Sequence, residues 1–169
     1  MRRYLLFFLL ISKVAWGQTQ FPQDWFGKWQ GELSLYPSGM KIPMSIEISQ
    51  ADSAHKFLFK TVYNAGEKAD VRDYTLIEKD KKRGIYVVDE HNSILIAEAF
   101  HQNMLVSNFS VQGTQLTILY RFESEQIVFE VFAGSANPFI TTGGQSDEIP
   151  EVKSYLMGNY QKAVLKKNP

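Results

Sequence analysis

The sequence predicts an all-β fold, a single antiparallel up-and-down β-barrel of about ten strands. Short runs along most of the chain alternate apolar and polar side chains at period two, the pattern of a strand with one buried face. The connections between those runs are about three to eight residues long, too short for the crossover that a parallel pair requires, so neighbours in sequence pair antiparallel. A flat meander of this many strands would leave two unpaired edges. Closing the sheet on itself removes both.

The first strand begins around Trp29, and its alternation over Glu32–Tyr36 stops at the turn triplet Pro37-Ser38-Gly39. Met44-Ser45-Ile46-Glu47-Ile48-Ser49 alternates strictly and is the clearest half-buried strand. Ala51–Ala54 turns it back into Lys56–Tyr63, rich in aromatic and β-branched residues. Asn64-Ala65-Gly66 opens a polar connection to a strand over Val71–Glu78. Lys79-Asp80-Lys81-Lys82-Arg83-Gly84 is a charged hairpin tip. So basic a run could hold an anion, although like charges at a tip are ordinarily just solvated. Ile85–Val88, Ile94–Phe100 and Leu105–Val111 follow, and Gln112-Gly113-Thr114 is a tight turn into Gln115–Phe122. Glu123–Gln126 then turns into Ile127–Ala133.

Gly134–Val152 reads as an extended irregular loop, marked by Asn137-Pro138, Gly143-Gly144 and Asp147-Glu148-Ile149-Pro150. Loops of such length in compact domains are functional or mobile. Beyond it Val152, Leu156, Tyr160 and Val164 recur at four-residue spacing, as in a helix over Ser154–Lys167. Gly158-Asn159 would interrupt that helix at a cost of about 1 kcal/mol or more. A final strand over Tyr160–Leu165, pairing with the first to close the barrel, is the preferred reading.

Residues 1–17 read as a cleaved signal peptide: Arg2 and Arg3, then the apolar run Tyr4–Ile11, then small residues in Ala15-Trp16-Gly17. The apolar run falls well short of the roughly 20 residues that cross a hydrocarbon core, so cleavage fits better than an anchor or a buried N-terminal strand. Residues 18–169 then form one barrel domain, exported and thus periplasmic or extracellular, with no later segment of membrane-spanning length. The leader removes Arg2, Arg3 and Lys13 from a chain whose 18 basic and 18 acidic residues balance, leaving it net negative. That argues against nucleic acid as a partner and gives no basic patch for anionic lipid. The chain has no cysteine, which removes thiol nucleophiles, zinc–thiolate sites, iron–sulfur clusters and disulfides. The Asn108-Phe109-Ser110 sequon falls inside a strand and reads as chance.

Trp25-Phe26-Gly27-Lys28-Trp29 resembles the opening of the calycin superfamily, the lipocalins, fatty-acid-binding proteins and related barrels, which begin with Gly-x-Trp at the start of strand one. The resemblance implies a structural plug: Gly27 lets the chain pass closely under the barrel floor, and the Trp29 indole fills the narrow end. It also implies a binding module, secreted and holding a small apolar or amphipathic ligand. About ten strands is closer to the fatty-acid-binding or nitrobindin-like type than to the eight-stranded lipocalins. Yet Pro37–Pro43 leaves no room for the helix pair of fatty-acid-binding proteins, and the further motifs and disulfides of lipocalins are missing. Nitrobindin-like barrels hold haem through a late histidine, whereas the last histidine here is His101, so no haem or other cofactor is expected.

No hydrolase elbow, zincin helix, phosphate loop or dinucleotide fingerprint is present, so no catalytic residue is assigned and the reading leans away from an enzyme. Asp89-Glu90-His91-Asn92 gathers metal-ligating types, but a hairpin turn favours the same residues, and no metal is assigned. The informative residues are polar groups on otherwise apolar strands. Glu98 shares a face with Ile94, Ile96 and Phe100; Arg72 shares one with Tyr74 and Leu76; Arg121 follows Leu119. A charge turned inward needs a partner such as Glu98, Asp73 or a ligand, whereas one turned outward needs none. In related barrels an arginine on a late strand caps the opening tryptophan or binds a ligand carboxylate, and Arg121 is the position to test for both roles. Phe59, Tyr63, Arg72, Tyr74, Glu98, Tyr120 and Arg121 are the ligand-binding candidates. Two alternatives stand beside this. One is a protein-interaction domain with a filled core, using a sheet face or the Gly134–Val152 loop. The other is an enzyme with Glu98, an arginine and a histidine converging at the barrel mouth.

Overall fold

A computed structural model describes residues 20–168 of the chain, and the segment read as a signal peptide lies outside them. Alternating burial is clearest along the second and third strands, where Met44, Ile46 and Ile48, then Phe57, Phe59 and Thr61, are buried between more exposed neighbours. The strands are β1 (Gly27–Tyr36), β2 (Lys41–Gln50), β3 (Lys56–Tyr63), β4 (Asp70–Asp80), β5 (Ile85–Asp89), β6 (Leu95–His101), β7 (Met104–Val111), β8 (Thr114–Glu123) and β9 (Gln126–Ser135). The short β10 (Ile140–Thr142) and β11 (Val152–Ser154) and the long β12 (Asn159–Lys167) complete the order. β1 to β9 form a meander, and β12 pairs antiparallel with both β9 and β1, which closes a ten-stranded barrel. Among the described residues no helix is long and apolar enough to cross a membrane.

The C-terminal segment is a strand because its apolar residues serve a period of two. Ala163 and Leu165 are buried, whereas of the four-residue series Val152, Leu156 and Val164 are exposed and Tyr160 is half-buried. Register runs from Trp29 opposite Lys167 to Tyr36 opposite Tyr160. Gly31 sits on this seam, where an added Cβ would run into the backbone carbonyl of Val164 and the Leu165 side chain. Backbone cannot yield as a side-chain tip can. Gly31→Val should therefore destabilise the fold by about 1–3 kcal/mol, read as a lower urea midpoint.

Two expectations need correction. The first strand starts at Gly27, two residues ahead of Trp29, since Gly27 and Lys28 already pair with Ile48 and Glu47 of β2. The segment Gly134–Val152 is not wholly irregular: β10 and β11 pair as a separate two-stranded sheet. Gly143 and Gly144, at φ of 77° and 74°, supply the left-handed turn that ends β10. Phe139, Ile140, Val152 and Leu156 leave this hairpin with an exposed apolar surface.

Trp25 and Trp29, the two largest fully buried side chains, lie at the end where β1 begins. Phe21 and Trp25 fold under the barrel ahead of β1, edge to face with ring centroids 4.8 Å apart, and Phe21 stacks on Phe100 at 4.3 Å. Trp29, 1% exposed, meets Phe122 edge to face at 5.8 Å and donates its indole N–H to the Trp25 carbonyl at 2.8 Å. Gly27 has φ of 127°, and a Cβ there would lie 2.6 Å from Lys167 Cε. The Lys167 ammonium stands over the Trp29 ring, 5.3 Å from its centroid, a cation–π contact.

Candidate functional site

The opposite end of the barrel is not filled. The pleat of β3 turns Phe57, Phe59, Thr61 and Tyr63 inward, and antiparallel register sets Tyr74 beside Phe59 and Arg72 beside Thr61. On β6, Glu98 lies inward with Ile96 and Phe100, opposite Tyr86 on β5. On β7 and β8 the same parity turns Leu105, Ser107 and Phe109 inward beside Tyr120, Ile118 and Leu116. Between them lies a cavity of about 210 Å³. Ligand pockets for drug-sized molecules run to about 300–1,000 Å³, so this space suits a small guest.

The cavity's inner wall is polar where a barrel core is normally apolar. Glu98 is 6% exposed, Thr61 and Ser107 are each 2% exposed, and Glu98 Oε2, Thr61 Oγ1 and Ser107 Oγ have no hydrogen-bond partner. Burial pushes the Glu98 carboxyl up to about 8; the Ser107 hydroxyl, beside it but outside hydrogen-bond geometry, draws it down only part of the way. Burial likewise raises Tyr63 to about 12 and lifts Tyr74 and Tyr120 above the ordinary phenol range, so these phenols keep their protons. Arg72 at the mouth donates to Asp70 at 2.8 Å, rather than to Asp73 or Glu98. Glu90, just beyond β5, lines the mouth as well.

Six of the seven predicted binding residues thus line one cavity: Phe59, Tyr63, Arg72, Tyr74, Glu98 and Tyr120. Arg121 does not join them. Tyr120 is turned inward, so the next residue on the strand faces outward. There Arg121 pairs with Glu130 at 2.5 Å and Glu123 at 3.2 Å. Burial pushes the Glu130 carboxyl up. The Tyr160 hydroxyl, which donates to it at 2.5 Å, together with Arg121 and Lys162, outweighs that and holds it below the usual range. Nor does Arg121 cap Trp29, since Lys167 occupies that place. Ile94 precedes β6 and is exposed, so it does not share the Glu98 face.

Sequence reasoning missed Thr61 and Ser107. Both break an apolar face at period two, Thr61 between Phe59 and Tyr63 and Ser107 between Leu105 and Phe109. That break was the available signal. No histidine lines the cavity. His55 Nδ1 meets Glu78 Oε1 at 3.0 Å, and His91 Nε2 meets Thr75 Oγ1 at 2.8 Å. Within the Asp89–Asn92 cluster two side chains bind the turn's own backbone: Asp89 accepts from the His91 N–H at 2.9 Å and Asn92 from that of Ile94 at 3.0 Å. Among the described residues no group of three or more His, Asp or Glu side chains is placed to hold a metal ion.

No protein-family model matches the chain. No curated protein matches it either. Among solved structures it is similar to a protein of unknown function from the DUF3598 family of Nostoc punctiforme, at a TM-score of 0.55 and 10% identity. The likeness covers 86% of this chain and 48% of that one, so the chain spans about half the length of the structure it matches. At that identity the likeness speaks to the fold alone: a closed antiparallel β-barrel of ten strands.

Proposed function

We propose that this chain is an exported, calycin-like barrel that binds a small amphipathic molecule in the cavity lined by Phe59, Glu98 and Tyr120. The observation that carries the reading is the set of three buried oxygens without partners on Thr61, Glu98 and Ser107. Each buried polar group left unpaired costs about 1–3 kcal/mol, which a purely apolar guest would not relieve. A guest with one polar head satisfies them while its body rests against Phe59, Phe109 and Ile118. The contrast between an end packed around Trp29 and an open end lined by Tyr63, Arg72 and Tyr74 agrees with the Gly-x-Trp resemblance. Native mass spectrometry of the protein purified from its source tests the reading. A co-purifying small mass is expected, and Ser107→Leu, which fills part of the space, should lose it. A bare protein mass, with no thermal stabilisation from a panel of small amphipathic compounds, would count against it.

A further inference from the structure

The head group that this cavity takes can be argued from the donors and acceptors it leaves unmatched. The three unpartnered groups present oxygens: a carboxyl at Glu98 and hydroxyls at Thr61 and Ser107. A hydroxyl can donate or accept, but an ionised carboxylate only accepts. The charges around the space are also unequal. Arg72 is neutralised by Asp70, whereas Glu90 and Glu98 have no basic side chain within salt-bridge distance among the described residues. The walls between them carry the rings of Phe59, Tyr63, Tyr74, Phe109 and Tyr120. Aromatic faces attract a cation within about 6 Å of the ring centre, most strongly where water is excluded.

We infer that the ligand is a small primary ammonium ion with a compact apolar or aromatic body, its head held by Glu98, Ser107 and Thr61. The inference rests on the cavity reading above and names its ligand class. An –NH3+ head has three donors and no acceptor, which matches three oxygens without partners. A carboxylate head would set a second buried acid beside Glu98, with one basic side chain, Arg72, at the mouth and already paired to Asp70. A neutral alcohol would bind without using the charge that Glu98 can develop.

A proton must leave for this pairing to form. Empty, the Glu98 carboxyl is protonated at neutral pH because burial lifts it to about 8. The groups facing it do not supply another charge at that depth: Tyr86 from β5, Ser107 from β7, Tyr120 from β8, Thr61 and Tyr63 from β3, and Tyr74 from β4 are all neutral. Arg72 and Glu90 stand at the mouth. Ammonium binding therefore releases close to one proton at pH 7, and affinity should rise by about tenfold per pH unit below 8.

Isothermal titration of the purified protein with phenethylamine, 2-phenylethanol and phenylacetate tests this. In buffers of different ionisation enthalpy, the amine should bind with proton release. Glu98→Gln should weaken it by at least tenfold while leaving the alcohol within about threefold. Ser107→Ala provides a gentler second variant, weakening the amine severalfold. If the alcohol or the acid binds as well as the amine, or the amine binds without proton release, the ammonium inference is overturned and the cavity reading stands. If none of the three binds and native mass spectra show no guest, both fall together.

Discussion

Glu98→Gln is expected to keep its stability as pH rises from 5 to 9, a range over which the native sequence loses several kcal/mol. The sign follows from proton counts. Unfolded, the carboxyl ionises near its ordinary value of 4.5, whereas in the fold burial holds the proton on until about 8. Between those values the folded state binds more protons than the unfolded state, so unfolding becomes easier as pH rises. At about 1.4 kcal/mol per pH unit, the interval corresponds to up to about 5 kcal/mol, all of it incurred by pH 8 and none of it below 4.5. Against the roughly 5–15 kcal/mol by which a domain is stable, that is a large share. Glutamine has the same shape and no charge to bury. Urea unfolding at pH 5, 7 and 9 should show the two proteins close together in acid and separating toward alkali. Parallel curves would mean that Glu98 reaches water or a partner and is not the buried acid described here.

Trp29→Ala is expected to destabilise the barrel by about 3–5 kcal/mol at every pH. The indole is 1% exposed and fills the space between Phe122 and the chain segment that carries Trp25. Its loss opens a void and removes the donor that satisfies the Trp25 carbonyl. It also leaves the Lys167 ammonium without the ring it covers. Trp29→Phe, which keeps most of the volume but not the N–H, should cost far less. Guanidinium unfolding of both variants separates packing from the hydrogen bond. A loss below about 1 kcal/mol for the alanine variant would show that Phe21 and Trp25 close this end without it.

The closed sheet was legible because its evidence is local and repeated: strict alternation over Met44–Ser49, turn residues at short intervals, and no room for crossovers. The last strand was legible because Gly158-Asn159 argues against a helix. The inward set was harder, since it depends on pleat phase. Around Glu98 the two faces read Ile96, Glu98, Phe100 and Leu95, Ala97, Ala99, and either could be the core. Arg121 stands outside the cavity because β8 turns its more continuous apolar face, Leu116, Ile118, Tyr120 and Phe122, toward the core. The β10–β11 hairpin left no trace because three-residue strands hold barely one repeat of the two-residue alternation, and all six of their residues are exposed.

The pairing of β1 with β12 joins stretches at the two ends of the described chain, Trp29 against Lys167. Every other barrel contact except that between β9 and β12 is a hairpin that can form as soon as its second arm has emerged. Until the last strand arrives, the growing sheet carries bare edges along β1 and β9. Such non-local joining is slow compared with hairpin formation, because loop-closure entropy must be overcome before the contact yields anything. The interval before that final zippering is when this molecule is most open to self-association, and trimming back the last strand would make the condition permanent.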